Sequence, residues 1–438
     1  MAGAPDDAPN ELDAVDALTA IAAGRLSAEA LAEACLARIA ARDSVVRAFA
    51  HIDRERAVAE ARGRDRAGAK GPLHGLPFGV KDIIDTHDMP TAYGSPIHAA
   101  HRPSADAACV ALAREAGAVM LGKTVTTEFA LRHPGVTANP RDPAHTPGGS
   151  SSGSAAAVAD FMVPVAFGTQ TGGSIIRPAS YCGVFGYKPS YNTINPTGVK
   201  PLAGSFDTVG VFARSVDDCA LVVDVLSGEA RGIARLEGLR PSRVGLWRTP
   251  AWPDAESATV RALETAAGRL AHNRITVEEL ALPEEFESFL DAQSDVLRFE
   301  AARVFAFERT RRADLLSPSS RAELSNGAAI SRTRYLAAQA LIVRCRASFA
   351  AAIAPFDFLL SPSAPGEPPA GLDDTGEAMF NRWQSGLRVP CLNLPGFTGA
   401  QGLPVGIQIT GAIDDDRRLL RFAKWMAGHV TGDDRRTC

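Results

Sequence analysis

Three kinds of pattern are missing from this sequence of 438 residues, and each absence excludes a class of protein. The seven cysteines are scattered and odd in number, and no two stand in C-x-x-C spacing, which argues against a disulfide framework or a zinc site. No uninterrupted apolar run reaches the roughly 18 residues that a membrane-spanning helix needs. The formal net charge is -4, so nothing favours nucleic acid or an anionic membrane as a partner.

The first ten residues are acidic and contain proline, and they lack the cationic and apolar segments of a signal peptide. We therefore expect a cytoplasmic protein with reduced thiols. Neither an internal repeat nor a long linker marks a domain boundary. We predict a single domain over residues 1–438, with disordered tails at 1–10 and 431–438.

Apolar segments of strand length alternate with helical patterns through most of the chain. The predicted helices lie within residues 11–42, 105–116, 154–161, 217–226 and 258–272, and the predicted strands within 72–85, 118–121, 163–167, 243–247, 275–279, 358–360 and 406–410. Residues 285–350 are predicted to be helical throughout and to lie over the site as a subregion. This alternation is typical of an α/β fold with a large mixed, mostly parallel central sheet covered by helices on both faces.

Glycine and serine are concentrated in two neighbouring stretches, residues 148–154 and 168–178. The first leads directly into an alanine-rich helical segment, which a flexible linker would not do. In the second, Gly172 and Gly173 precede Ser174, and two glycines allow backbone N–H groups to converge on one carbonyl oxygen. The alternative interpretation is a turn without catalytic function.

A serine nucleophile needs a base that takes up its proton. Of the nine histidines, only His272 and His429 follow the two stretches, and neither lies in a distinctive motif. Lys81 is the better candidate, because it lies between apolar residues and burial lowers the pKa of a lysine. Lysine is almost never fully buried without a partner.

Two other motif matches compete with this interpretation. Residues 117–124 fit the P-loop pattern, but a P-loop follows a strand and opens a helix, whereas here a predicted strand occupies the middle of the motif. Residues 149–153 fit the G-x-S-x-G elbow of α/β-hydrolase-type esterases, with Ser151 as the nucleophile. The residues before this elbow are not typical of a strand, so it ranks second.

Four longer runs together resemble the amidase signature family. They are GVKDIID at 79–85, GGSSSGSAAAV at 148–158, GTQTGGSIIRPASYCG at 168–183 and SFDTVG at 205–210. The resemblance extends from about residue 15 to residue 425 and is weaker after residue 240. It implies the amidase-signature fold and a serine amidohydrolase that cleaves the C–N amide bond of a small molecule, or an ester or carbamate, without a metal or organic cofactor.

The resemblance also implies a role for each residue of the site. Ser174 would be the acylated nucleophile and Ser150 the bridging serine, which would follow a cis peptide bond from Gly149. Lys81 would be the terminal base of a Ser-cisSer-Lys triad, and Ser151 would support the network. The oxyanion hole would consist of the backbone N–H groups of Thr171, Gly172, Gly173 and Ser174.

Two further residues are expected to contact the substrate. Arg177 stands three residues after Ser174, as in malonamidases, whereas most of the family has arginine two residues after the nucleophile. Arg177 would bind a substrate carboxylate; the alternative is that it pairs with a buried acid or caps a helix. Gln170 is the second candidate.

Other functional classes share the same signature. Within the resemblance, the chain is either a stand-alone amidase or an amidotransferase-type subunit that works in a complex to make glutamine-charged tRNA. A catalytically inactive scaffold is a third class, which the intact Lys81, Ser150 and Ser174 argue against. We expect a small-molecule amide as partner, neither nucleic acid nor membrane, and leave a homodimer open.

Overall fold

The computed structural model describes residues 8–68, 70–229 and 232–431. One sheet of eleven strands, in the order β1-β3-β2-β4-β6-β5-β10-β11-β9-β7-β8, runs through this part of the chain. The strands are β1 (Phe49–Ile52), β2 (Pro77–Lys81), β3 (Val119–Thr124), β4 (Val165–Gln170), β5 (Phe185–Lys188), β6 (Thr208–Ala213), β7 (Arg243–Leu246), β8 (Thr276–Glu279), β9 (Phe358–Pro362), β10 (Cys391–Thr398) and β11 (Pro404–Thr410).

The sheet is mixed, and its two sides differ in strand direction. Parallel ladders join β2 to β3 and β4 on one side, and join β7 to β8 and β9 on the other. The ladders that lead from β4 across the centre to β9 are antiparallel. Because β2 and β4 are parallel neighbours, the chain leaves both strands at the same edge of the sheet. Lys81 and Gln170 end these two strands.

Helices surround the large mixed sheet, which confirms the predicted α/β class. They are α1 (Ala14–Ala22), α2 (Ala28–Val46), α3 (Arg54–Ala67), α4 (Ala108–Glu115), α5 (Ser152–Ala159), α6 (Ile176–Cys182), α7 (Val216–Leu226), α8 (Ser257–His272), α9 (Phe289–Val304), α10 (Ala306–Arg311), α11 (Pro318–Ala329), α12 (Arg332–Ile353), α13 (Arg382–Leu387) and α14 (Asp416–Met426).

The predicted helices and strands are present, with bounds shifted by a few residues. The region predicted to be helical throughout is divided into α9, α10, α11 and α12. Two of these helices begin at a serine that caps the first turn: Ser317 accepts a hydrogen bond from Ser320 N, and Ser331 accepts one from Arg334 N. These two serines mark where a new helix starts, which the uniform alanine and arginine composition conceals.

Several elements have no counterpart in the prediction, namely β1, β5, β6, β10, α3, α6, α13 and α14. Strands β5 and β6 are buried at every residue and interrupted by glycine, so they show neither alternation nor an apolar run of ordinary length. Helix α6 contains Pro178 and ends at Gly183 in a left-handed conformation (φ 72). Its seven residues are too few for a helical period to be visible.

Helix α5 lies against the sheet with every residue buried. Its small side chains are required by the close approach of neighbouring backbone. A Cβ atom on Gly153 would lie 2.2 Å from Ala48 O and 2.4 Å from Val125 N, so no other residue fits there. This packing places the residues just before α5, Ser150 and Ser151, next to the ends of β2 and β4.

Helix α12 is long and apolar enough to cross a membrane by length and composition alone, and 28% of its apolar window is buried. In this structure it packs along α9. No uninterrupted apolar run is visible in the sequence because Arg334, Arg344 and Arg346 interrupt the helix.

Most of the predicted disordered tails lies outside the described residues. At their inner ends, Pro9–Glu11 and Ala427–Thr431 form short helical segments.

Candidate active site

The side chain of Lys81 is fully buried at the end of β2. Its Nζ donates to Ser150 Oγ and to Thr169 Oγ1, each at 2.8 Å. Burial lowers the pKa of Lys81 from 10.5 to about 7, while the negative charge of Asp207 acts in the opposite direction. A substantial fraction of this lysine is therefore neutral near pH 7, and a neutral amine is able to accept a proton.

Ser150 is buried and follows a cis peptide bond from Gly149, as the resemblance predicted. Its carbonyl oxygen accepts a hydrogen bond from Thr127 N at 3.2 Å. The carbonyl oxygen of Gly149 accepts one from Arg177 Nη2 at 2.6 Å. Both sides of the cis peptide are thus held by the protein, and the Ser150 side chain is directed to Lys81.

Ser174 lies between β4 and α6 and is half-buried. In residues 8–68, 70–229 and 232–431, no hydrogen bond of Ser174 Oγ is present. The structure therefore forms the half of the relay that links Lys81 with Ser150. The link from Ser150 to Ser174 stays a prediction.

Ser151 is fully buried, and its Oγ donates to Thr169 O at 3.2 Å. The same Oγ accepts a longer bond, of 3.4 Å, from Thr169 N. Ser151 thus holds the residue whose hydroxyl receives the second hydrogen bond of Lys81. A nucleophile elbow with Ser151 at its tip is not formed, because this serine is enclosed and no strand precedes it.

The residues that match the P-loop pattern, 117–124, form part of the sheet rather than a loop that opens a helix. Strand β3 covers Val119–Thr124 and no helix follows it directly. The lysine of the motif, Lys123, is buried and donates to Ile84 O and Thr91 Oγ1, each at 2.6 Å. Its role is to hold the chain that leaves β2.

Gln170 is fully buried, and both ends of its amide group bind the protein. Its Oε1 accepts from Ile175 N at 2.9 Å and from Ile176 N at 3.1 Å, and its Nε2 donates to Ser385 Oγ at 3.2 Å. In the described structure the side chain thus closes the loop of residues 171–174 and caps the first turn of α6. The expected contact of Gln170 with the substrate stays a prediction.

Asp207 contributes to the site, although its role was not predicted from the sequence. Its Oδ1 accepts from Thr171 Oγ1 at 2.5 Å, and its Oδ2 accepts from Leu202 N and Ala203 N at 2.8 and 3.0 Å. Burial raises the pKa of Asp207 to about 6. An acid inside the SFDTVG run at 205–210 was the available signal.

Arg177 is buried, and its guanidinium binds backbone carbonyls rather than an acid. Nη1 donates to Gly376 O at 2.8 Å and Nη2 donates to Gly149 O at 2.6 Å. A longer bond of 3.2 Å reaches Thr375 Oγ1, and Nε is buried without a partner. Within the described chain, Arg177 has no ion pair, so the alternative of pairing with a buried acid is not observed.

A small cleft lies beside the end of β4. The residues that line it include Thr169, Thr171, Asp207, Lys200 and Ala130. Four aromatic side chains of the C-terminal half are buried in the protein core: Phe299, Phe305, Phe380 and Trp383.

One group of side chains in the described part of the chain has the spacing of a metal site. His87, Asp88 and Asp106 offer ligand atoms within 4.8 Å of one another. Both carboxylates are already ion-paired with Arg114, at 2.7 and 3.1 Å. These residues therefore form a surface charge network.

The α/β fold and the hydrogen bond between buried Lys81 and Ser150 are what a serine hydrolase with a lysine base would need, and comparison with known proteins gives the family. The model of the amidase family matches residues 30–420, so the chain belongs to the amidase signature family of serine hydrolases. One similar protein is a glutamyl-tRNA(Gln) amidotransferase subunit of Chloroflexus aggregans, 34% identical over 92% of this chain and 93% of that protein.

Solved structures agree with this assignment. A crystal structure of an amidase superimposes with a TM-score of 0.88 at 32% identity, covering 96% of this chain and 100% of the other. The native peptide amidase of Stenotrophomonas maltophilia gives a TM-score of 0.81 at 29% identity, covering 97% and 99%. The similar sequences reported are amidotransferase subunits rather than malonamidases, so the finer likeness to malonamidases depends on Arg177 alone.

Proposed function

We propose that this protein hydrolyses the C–N bond of a small amide through an acyl-enzyme on Ser174. The observation that carries the proposal is Lys81, a buried lysine with a pKa of about 7 that is hydrogen-bonded to Ser150. Burial of this lysine is costly, because its two hydrogen-bond partners are neutral hydroxyl groups rather than a carboxylate. A role as the proton acceptor at the end of a serine relay explains why a lysine occupies this position.

The reaction begins when Ser174 Oγ attacks the amide carbonyl carbon. The proton of Ser174 passes to Ser150 Oγ, and the proton of Ser150 passes to the Lys81 amine. The N–H groups of residues 171–174 stabilise the negative carbonyl oxygen. Ser150 then protonates the leaving nitrogen and recovers its proton from Lys81, which leaves the acyl group on Ser174. Water, activated by the same relay, releases the acid.

Arg177 supports a substrate that carries a carboxylate. Its guanidinium is buried without an acidic partner in the described chain, and its Nε has no hydrogen bond. A buried cation that is neutralised only by carbonyl dipoles favours an anion nearby. A small amide with a carboxylate close to the scissile bond would supply that charge. Esters and carbamates of the same shape are accessible to the same acyl-enzyme chemistry.

The second candidate is an amidotransferase subunit, and a specific observation favours it. Proteins of that name are 32–34% identical to this chain over at least 92% of its length. A subunit of this kind would use the same serine relay to release ammonia from an amide and pass it to a partner. The two candidates differ in whether the chain alone turns over simple amides.

The decisive experiment compares the purified wild type with Ser174→Ala. A fluorophosphonate probe should label the wild type once, at Ser174 by peptide mass mapping, and should not label the variant. A panel of carboxylated amides, neutral amides, esters and carbamates should reveal turnover that Ser174→Ala abolishes. Labelling at Ser151, or equal hydrolysis by the variant, would contradict the assignment of Ser174 as the nucleophile. Turnover that appears only after addition of partner subunits would favour the amidotransferase.

We further propose a cytoplasmic location, in keeping with the free thiols of the six cysteines that the structure describes. A single domain is supported by one sheet that includes strands from Phe49 to Thr410.

A further inference from the structure

The loop of residues 171–174 is held from outside by two side chains of the C-terminal half. Ser385, on α13, donates from Oγ to Gly172 O at 2.8 Å. Gln293, on α9, donates from Nε2 to Thr171 O at 3.4 Å. Both side chains are buried, at 1% and 0% exposure.

We infer that Ser385 and Gln293 are positioning residues for the oxyanion hole, because they fix the peptide planes whose N–H groups face the reacting carbonyl. This inference rests on the proposed function, since it concerns the hole that serves Ser174.

The argument depends on the geometry of a trans peptide. In a planar trans peptide, the C=O of one residue and the N–H of the next point in opposite directions. The bond from Ser385 to Gly172 O therefore points Gly173 N–H away from α13. In the same way, the bond from Gln293 to Thr171 O points Gly172 N–H away from α9. The carbonyl of Gly173 accepts from Arg177 N at 3.0 Å in the first turn of α6, which orients Ser174 N–H.

The two glycines explain why such anchoring is needed. Gly172 and Gly173 have no Cβ, so their peptide planes rotate more easily than those of other residues. Glycine at 173 is imposed by space, since a Cβ there would lie 2.5 Å from Asn381 Oδ1 and 2.9 Å from Ala378 Cβ. An unanchored plane that rotates turns its N–H away from the oxyanion.

Each anchor is itself oriented by a second side chain. Ser385 Oγ accepts from Gln170 Nε2 at 3.2 Å, so its own hydrogen is left for Gly172 O. Gln293 Oε1 accepts from Arg382 Nε at 2.9 Å, which fixes the amide so that Nε2 faces Thr171 O. Arg382 also donates to Leu290 O at 2.7 Å and to Ser294 Oγ. The C-terminal half thus supplies a small network whose end points are carbonyls of the loop.

The test compares Ser385→Ala with Ser361→Ala. Ser361 is also a fully buried serine of this half, on β9, but its Oγ has no hydrogen bond in the described structure. With the amide found in the substrate panel, Ser385→Ala should lower kcat about 10- to 100-fold, less than the loss of a whole oxyanion donor. KM should change by less than about threefold, because the oxyanion forms after substrate binds. Ser361→Ala should match the wild type.

Restoration of the hydroxyl gives a second readout. Ser385→Thr should recover most of kcat, and Gln293→Met, which keeps the volume but removes the longer bond, should lower kcat by a smaller factor than Ser385→Ala. The rate of fluorophosphonate labelling at Ser174 should fall in the same order, since the phosphonyl oxygen occupies the same hole.

The outcomes separate the two proposals. If Ser174 is not labelled in the wild type, the proposed function fails. If Ser174 is labelled but Ser385→Ala equals Ser361→Ala in kcat, the inference is overturned and the reaction assignment survives. Circular dichroism and thermal unfolding of each variant identify misfolding. If Ser385→Ala does not fold, Gln293→Met decides, and wild-type kcat and labelling rate in that variant would contradict the inference.

Discussion

The two halves of this chain contribute to the site in different ways. The part up to about residue 210 carries the groups that would react, namely Lys81, Ser150 and Ser174, on strand ends and short loops around β2 and β4. The region from α9 to α13 supplies buried side chains that bind loop carbonyls and orient the first set. The reacting groups must lie at one edge of the sheet, where β2 and β4 end, so they come from neighbouring strands and loops. Side chains that only orient the loop need to reach its carbonyl groups, so they can come from helices far along the chain.

Electrostatics differ between the halves as well. In the first, Lys81 is buried beside hydroxyl groups, and the pKa of the lysine falls to about 7. In the second, Arg382 is partly buried among carbonyl and hydroxyl oxygens, and it keeps its charge because arginine holds its proton far more strongly. A lysine that can lose its proton serves the chemistry, and an arginine that cannot serves as an anchor.

The largest effect is expected from the base itself. Lys81→Met removes the proton acceptor, so kcat should fall by about 10²- to 10⁴-fold at pH 8. The matched control is Lys123→Met, which removes a second buried lysine whose partners are Ile84 O, Thr91 Oγ1 and, at 3.4 Å, the Asp82 carboxylate. That variant should lose stability and keep most of its kcat per folded molecule. Equal loss of kcat in both would remove the distinction between a catalytic and a structural buried lysine.

The pH dependence should show which group sets the charge of Lys81. Activity requires the neutral amine, so kcat of the wild type should rise with pH through about 7, the pKa of Lys81. The Asp207 carboxylate favours the ammonium form, and Asp207→Asn removes that charge. The rising limb should therefore move to lower pH in the variant. A limb that stays in place or moves upward would show that Asp207 does not act on Lys81.

The residues that would react can be proposed from the sequence because each lies inside a long, ordered motif. Lys81, Ser150 and Ser174 occupy three separate runs, and the cis peptide at Ser150 was expected from the same resemblance. The supports were not predicted, because Ser385 and Gln293 lie in helices whose sequences contain no motif. The sequence does not distinguish a buried serine or glutamine that binds an active-site loop from one that does not, because that depends on which loop packs against the helix.

Gln170 and Asp207 show the same limit inside the motifs. Gln170 stands at the end of a strand next to the oxyanion loop, so a substrate contact was a natural expectation. In the described structure its amide oxygen accepts from two N–H groups of the following turn, which the motif does not reveal. Asp207 was noticed only as part of a matching run, since its partner Thr171 is 36 residues away. Local motifs identify residue types that matter, but the direction of each side chain depends on strand order.

A smaller effect is expected at Arg177, which lies between the two halves and binds carbonyls of both, Gly149 O and Gly376 O. Arg177→Lys keeps the charge but loses the planar fork, so kcat/KM for a carboxylated amide should fall about 10- to 100-fold. The neutral analogue should lose much less. Arg382→Lys, which alters an anchoring arginine, should lower both substrates equally. If Arg177→Lys lowered kcat/KM equally for the carboxylated amide and its neutral analogue, Arg177 would have a structural role only.

The smallest effects separate folding from function in each half. Ser27 and Ser331 cap α2 and α12, and each accepts a hydrogen bond from the N–H three residues on, at 3.0 and 3.2 Å. Replacement of either serine by alanine should cost about 1 kcal/mol of stability, because one N–H of the first turn loses its partner. Thermal unfolding should show a small decrease for both variants with kcat unchanged. If Ser331→Ala also lowered kcat, the position of α12 as a whole, and not only the hydrogen bonds of Ser385 and Gln293, would be needed to orient the active-site loop.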